Sequence, residues 1–427
     1  MTDQAISHEY DKNIERFIPV TLNGLVSKLI VDLNLSDQDK LLFKRFCKIY
    51  VALYHANFFV KLQNLKENYL PFSPDRTTLS LQQYSNAALL ERRKNLIEEI
   101  QEIIDKANYS PITQDELNRA LTESSPYGLD ISVDFDDFDE IHLYFQGLST
   151  TTEQRRTWQT LYLGTETLDI PIYRRLFLVL KLKSVTNKPP VISIFADPKA
   201  YLLEKWHHLF QIEMTQGGDS SFIYLKLFKD IPRSDLEMLF PNTRVEMQRF
   251  DKVTMGVSSG GGIIGGIIAV VSKLARAANP AAIMLAVAGL VGIIWRQVGK
   301  VLSNRNRYLA SLAKSLYFHN LDNNLGVLAN LIEMAEEEEC KEAILAYGFL
   351  LAQPQEGCSQ QKLDQEVEQF LRESCGVQVN FELSDGIRKL READLLIENA
   401  NKLIKPCPIT SALNRLDQEW DNMFNYQ

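Results

Sequence analysis

The chain has 427 residues, with 46 Lys and Arg against 55 Asp and Glu for a net charge of −9; it is 45% hydrophobic, 24% charged and 10% aromatic. That balance excludes a disordered or fibrous chain, and the net acidity argues against a nucleic-acid coat, whose affinity comes largely from phosphate contacts. The five cysteines, Cys47, Cys340, Cys358, Cys375 and Cys407, are scattered and include no CxxC pair, so neither a disulfide framework nor a zinc module is expected.

The order of elements predicts an α+β multidomain protein. Met1 to Arg16 is polar and lacks the apolar stretch of a secretory signal. Residues 1–125 read as a helical N-terminal region. Leu41 to Leu65 carries Leu42, Phe46, Ile49, Leu53, Phe58 and Leu62 broadly at helical spacing, with Ser36 as a candidate N-cap. Leu79 to Ala107 is a second long helix, and Thr113 with Glu116 forms a capping box for a short third. Over 126–252 the pattern changes to that of an antiparallel-sheet α+β domain. Its expected strands are Ile141 to Phe145, Tyr173 to Leu182, Val191 to Phe195, Phe222 to Phe228 and Val245 to Phe250, with a short helix beginning at Pro232.

Residues 253–298 stand apart. Val253 to Val271 and Ala277 to Trp295 carry no charge, and each is long enough to approach the ~30 Å core of a bilayer. Lys273, Arg276 and the turn signal Asn279-Pro280 separate them. Gly256 and Gly260, and Gly262 and Gly266, are four residues apart and so share a helix face, which permits close backbone approach. Gly289 and Gly292 offer a groove on the second segment. The expected structure is a Gly-rich two-helix membrane hairpin, bounded at its exit by Trp295 and Arg296. Two other readings remain at this point: a buried soluble hairpin, or a phosphate loop at Ser258 to Gly262, although the latter lacks the GK[ST] ending.

Residues 299–352 read as a long helical region in which the acidic run Glu336 to Glu339 is expected to be a solvated face. After a linker around Pro354 and Gly357, residues 361–427 resemble a winged-helix-like module. Its expected elements are a helix from Leu363, an alternating strand through Val377, Val379, Phe381 and Leu383, a helix capped by Ser384, an irregular segment and a helix from Ile409. Arg388, Lys389 and Arg391 on its would-be recognition surface are offset by Asp385, Glu392 and Asp394, so no nucleic-acid partner is expected.

No HExxH, GxSxG or related pattern occurs, and the six histidines show no ligand spacing. No catalytic, cofactor-binding or metal-binding residue is assigned, and no cofactor is expected. The best polar constellation is Lys226, Lys229, Asp230, Arg233, Asp235 and Glu237, with Pro232 in the same segment. It reads either as structural capping around a helix start or, with Arg244, Arg249 and Lys252, as an ionic surface for anionic lipid headgroups.

Leu225 to Pro232, followed by Asp235-Leu236-Glu237 and Pro241, is similar to a hallmark segment of the domain of unknown function 3754 family, the transmembrane protein 143-like proteins. Phe17 to Val20, Leu321 to Asn324, Glu338 to Glu342 and Trp420-Asp421 are similar to further family segments in the same order. The resemblance implies a bacterial-type, membrane-associated member with a Gly-rich pair of apolar segments, and no established activity. The expected function is that of a membrane-anchored, non-enzymatic scaffold or interaction module, integral to a membrane with its soluble domains cytoplasmic. Its expected partners are the lipid bilayer, a second copy through the Gly-rich hairpin, and a further protein. The alternatives are an oligomeric pore or transporter component and a membrane-associated hydrolase.

Overall fold

The computed structural model describes residues 15–75, 84–122, 129–133, 135–155, 166–183, 221–240, 243–247, 317–353, 357–399 and 402–423. Its helices are α1 (Leu22–Asp32), α2 (Asp37–Tyr69), α3 (Asn86–Lys106), α4 (Gln114–Thr122), α5 (Leu325–Leu351), α6 (Gln360–Ser374), α7 (Leu383–Glu392) and α8 (Ile409–Asn422). Its strands are β1 (Ser110–Pro111), β2 (Leu129–Val133), β3 (Phe138–Arg155), β4 (Glu166–Leu182), β5 (Ile223–Pro232), β6 (Thr243–Met247), β7 (Asn320–Asn323), β8 (Leu396–Glu398) and β9 (Ile404–Pro406). The expected strand Val191 to Phe195 and the whole hairpin segment, including Gly256, Gly260, Gly262, Gly266, Pro280, Gly289, Gly292 and Trp295, lie outside the described residues.

The local signals in the N-terminal region hold. Ser36 Oγ accepts from the Asp39 amide at 3.1 Å and starts α2. Thr113 and Glu116 exchange both capping-box bonds, at 2.8 and 3.3 Å. α3 begins at Asn86, capped by Ser85, rather than in a helix already running from Leu79.

The main sheet has the order β1-β3-β4-β5-β7, and β2 pairs with β6 in a separate ribbon; the ladders of the main sheet are antiparallel. One face of the main sheet, through Phe177, Val179, Ile223, Leu225 and Leu227, packs on α2, α3 and α5. The other, through Leu143, Leu176, Leu178, Leu180 and Phe228, packs on Leu117 of α4 and on Leu236, Leu239 and Phe240 around a 3-10 turn. That 3-10 turn, Arg233–Leu239, stands where a short helix after Pro232 is expected.

Side-chain parity slips at one rung of this sheet. Gln146 pairs with Arg175 and Leu148 with Tyr173. On the other side Arg175 pairs with Lys229 and Tyr173 with Ile231. Gly147, Arg174 and Asp230 therefore share the rung between. Gly147 and Asp230 have positive φ, 77° and 51°. Regular alternation would place Tyr173 on the face opposite Leu176; instead both belong to the same core cluster, as do Phe228 and Ile231. A Cβ on Gly147 would lie 2.8 Å from the Phe17 ring, so glycine serves here for both φ and close approach.

α5 runs through the middle of the molecule. Its residues Val327, Leu328, Leu331 and Ile332 meet the sheet, α2 and α3. Ala343 to Tyr347 and Leu350 join a second core with α1, the first half of α2 and the C-terminal elements. The helical region expected over 299–352 is broken before α5 by β7, an edge strand on β5. The segment Leu321 to Asn324 has a structural role at this break. Asp322 accepts from Asn330 Nδ2 at 2.7 Å, and the Asn324 side-chain oxygen accepts the Leu225 amide at 3.2 Å.

Beyond α6, the expected strand through Val377 to Leu383 is reduced to a single parallel bridge between Val379 and Glu15. Leu383 opens α7, and Ser384 lies inside that helix rather than capping it. The segment expected to be irregular is the β8–β9 hairpin. Gly386 lets α7 lie against α5, since a Cβ there would sit 2.9 Å from the Glu342 carbonyl. The coarse α+β class stands.

Candidate functional site

The acidic run on α5 is not a solvated face. Glu338, Glu339, Lys341 and Glu342 are 3–6% exposed. The reason is long-range pairing, since a charge leaves water only where a counter-charge and hydrogen bonds await it. Each acid binds a different part of the chain. Glu336 meets His55 Nδ1 at 3.1 Å. Glu337 accepts the Leu22 amide at 3.0 Å, at the start of α1. Glu338 accepts the Ile18 amide at 2.9 Å and pairs with Lys341 at 2.8 Å, and Lys341 also donates to the Ile18 carbonyl at 2.9 Å. Glu339 lies 3.0 Å from Lys389 Nζ, which also donates to Glu342. Asn108 Nδ2 donates to the other Glu342 oxygen at 2.9 Å.

Lys389, read from sequence as part of an offset basic surface, is thus one of the most deeply buried side chains, 2% exposed. Burial pushes the carboxyls of Glu338 and Glu342 up, and Lys341 and Lys389 offset this only in part. Burial would push the Lys389 ammonium down, but Glu342 and Glu339 outweigh it and hold it above the ordinary lysine range.

A cavity of about 320 Å³ opens beside the Glu338–Lys341 pair, walled by Phe17 to Thr21, Gln146, Arg174, Arg175, Met334 and Glu337. Arg174 and Arg175 are neighbours on β4 and would point to opposite faces of a regular strand; the parity slip at the Gly147 rung lets both line one cavity. Arg174 pairs with Glu15 at 3.5 Å. Arg175 donates to the Met334 sulfur. On the far side of α5, concavities of about 650 and 530 Å³ share Tyr54, Asn57, Lys389 and Glu392.

The residues singled out from this segment do not converge on one point, and Arg233 opens the 3-10 turn. Lys226 donates to Asn323 Oδ1 at 2.9 Å at the sheet edge. Lys229 and Asp230 are exposed. The Lys229 carbonyl accepts from His319 Nδ1 at 2.8 Å. Asp230 makes the left-handed kink, and Pro232 ends β5. Asp235 and Glu237 lie in the 3-10 turn. Sequence reasoning missed Arg174, Arg175, Asn108 and the buried role of Lys389. The available signal was the apolar sequence on both sides of the acidic run, which marks a helix buried all round.

Among the described residues no group of His, Cys, Asp and Glu could hold a metal ion. Burial pushes the Cys47 thiol up to about 12 and Cys340 up as well. Among those residues no helix is long and apolar enough to cross a membrane.

No solved structure matches the chain. Residues 138–326 match a family described as protein of unknown function, DUF3754. The match starts at the first residue of β3 and ends at the second residue of α5. It takes in the Lys229-Asp230-Ile231-Pro232 segment, the apolar pair and Asn324, while the buried acids of α5 lie beyond it. The likeness to that family therefore covers somewhat under half of the chain.

Proposed function

We propose that the protein is a membrane-anchored, non-enzymatic scaffold or interaction module, held at the cytoplasmic face of a bilayer by the apolar pair within 253–298. The observation that carries this reading is the surface where the described chain resumes after that segment. Tyr317 and Phe318 are 78% and 59% exposed and pack edge-on at 5.3 Å, and Leu321 beside them is 43% exposed. Exposed aromatic side chains flanking an apolar span suit the headgroup layer, where the ring is buried and its polar neighbours stay wet. Lys226 and Lys229 stand on the neighbouring strand and supply the positive charge that anionic headgroups attract.

Chain geometry supports the same reading. β6, the last described element before that segment, pairs with β2, and β7, the strand after it, pairs with β5. Two crossings would restore the starting side. Hydrogen exchange of the full chain tests it. Residues 317–321 should exchange more slowly in anionic lipid nanodiscs than in detergent. Equal exchange in the two media would contradict the docking of this surface.

A further inference from the structure

We propose that Arg175 and Lys229 form a binding site for a phosphate oxyanion. The two residues are direct register partners across β4 and β5. Side chains so placed stand ~5 Å apart at Cβ, and like charges there repel unless an anion lies between them. Neither makes an ion pair among the described residues. The Arg175 guanidinium has only the Met334 thioether and the Tyr109 hydroxyl as partners there, and the contact found for Lys229 is to its carbonyl, from His319 Nδ1 at 2.8 Å.

The other charges nearby are already matched. Arg174 has Glu15, while Lys341 has Glu338 at 2.8 Å and Glu337 at 3.3 Å. Glu337 also accepts the Leu22 amide. Asp230, one residue past Lys229, is exposed and makes no ion pair among the described residues. Among the described residues the surplus is thus two adjacent cations, of which Arg175 lines a cavity of about 320 Å³. A guanidinium fork binds a tetrahedral oxyanion through two parallel N–H bonds, and a neighbouring ammonium adds a point charge. A dianionic phosphate matches this pair in charge.

This site does not depend on the membrane reading. The test is calorimetric titration of the full chain in detergent with inorganic phosphate at constant ionic strength. The unaltered protein should bind phosphate, and Arg175→Lys and Lys229→Met should each weaken binding at least about tenfold, because one loses the fork and the other the charge. Lys94→Met, which alters an exposed lysine of α3 already paired with Glu98, should leave it unchanged. No binding by the unaltered protein, or equal binding by Lys229→Met, whose side chain is exposed and outside the core, would overturn the proposal. Vesicles containing phosphatidic acid distinguish the source. Displacement of inorganic phosphate by them assigns the site to a lipid headgroup, and its retention assigns it to a soluble phosphate. Retention of the protein in the membrane, measured separately, should be the same in these variants.

Discussion

Lys389 lies 3.0 Å from Glu339 and also donates to Glu342, so one buried ammonium on α7 serves two carboxylates on successive turns of α5. This pairing fixes the C-terminal elements to the central helix at the point where Gly386 brings the two backbones together. Removing one partner of a buried pair leaves an uncompensated charge, which costs about 3–5 kcal/mol. Lys389→Met should therefore lower stability by about that amount in denaturant titration. Replacing Glu339 and Glu342 with Gln in the same chain should recover much of the loss.

The pH dependence of Lys389→Met follows in sign. The Glu342 carboxyl already sits above its ordinary range through burial, with Lys389 opposing the shift. Without Lys389 it rises further. A carboxyl raised in the folded state contributes stability below its unfolded value, and this is lost as pH rises through the folded value. The deficit of the variant should thus shrink on acidification toward the ordinary glutamate range and widen toward neutrality. A pH-independent deficit in paired unfolding curves would argue against buried ionised acids.

Glu338 acts on the opposite side of α5. Its carboxylate accepts the Ile18 amide and pairs with Lys341, which in turn holds the Ile18 carbonyl. Glu338→Ala should loosen the segment from Phe17 to Val20 and cost roughly 3 kcal/mol. Hydrogen exchange should show the loss of protection first at Ile18. Uniform loss across the chain would mean that the pair does not act locally.

Gly147 should not tolerate a side chain. Its φ of 77° opposes substitution, and so does the Phe17 ring, which would stand 2.8 Å from an added Cβ. Gly147→Ala should cost about 1–3 kcal/mol, from overpacking and strain together. Thermal unfolding measures it, and Phe17→Ala in the same chain should recover the packing part only.

The residues behind these effects differ in how visible they are in the sequence. The Ser36 cap and the Thr113–Glu116 box were legible because each signal is contained within four residues. The strands were legible in kind but not in length: β3 extends from Phe138 to Arg155 around a core read as Ile141 to Phe145. The burial of Glu338 to Glu342 was not legible, because their partners Ile18 and Lys389 are remote in the chain, and an acidic run without them belongs in water. Arg174 and Arg175 looked like ordinary strand residues. What brings them to one cavity is a parity slip set by Gly147 and Asp230 on neighbouring strands, which no local pattern in β4 records.

The Gly-rich segment offers an independent prediction about assembly. Gly262 and Gly266 are four residues apart and would share one face of the proposed helix, so replacing both with Leu should block close approach of a second backbone. Crosslinking between copies in the membrane should fall in the double variant. Unchanged crosslinking would remove this face from the contact.

Membrane anchoring itself is tested most directly by an alkaline carbonate wash of membranes carrying the full chain, followed by labelling of single cysteines placed at Gln248 and Asn304 in a chain without its native cysteines. The protein should stay in the membrane pellet, and both positions should be labelled from the same, cytoplasmic side. Release of the protein by the wash, or labelling of the two positions from opposite sides, would contradict a two-span anchor.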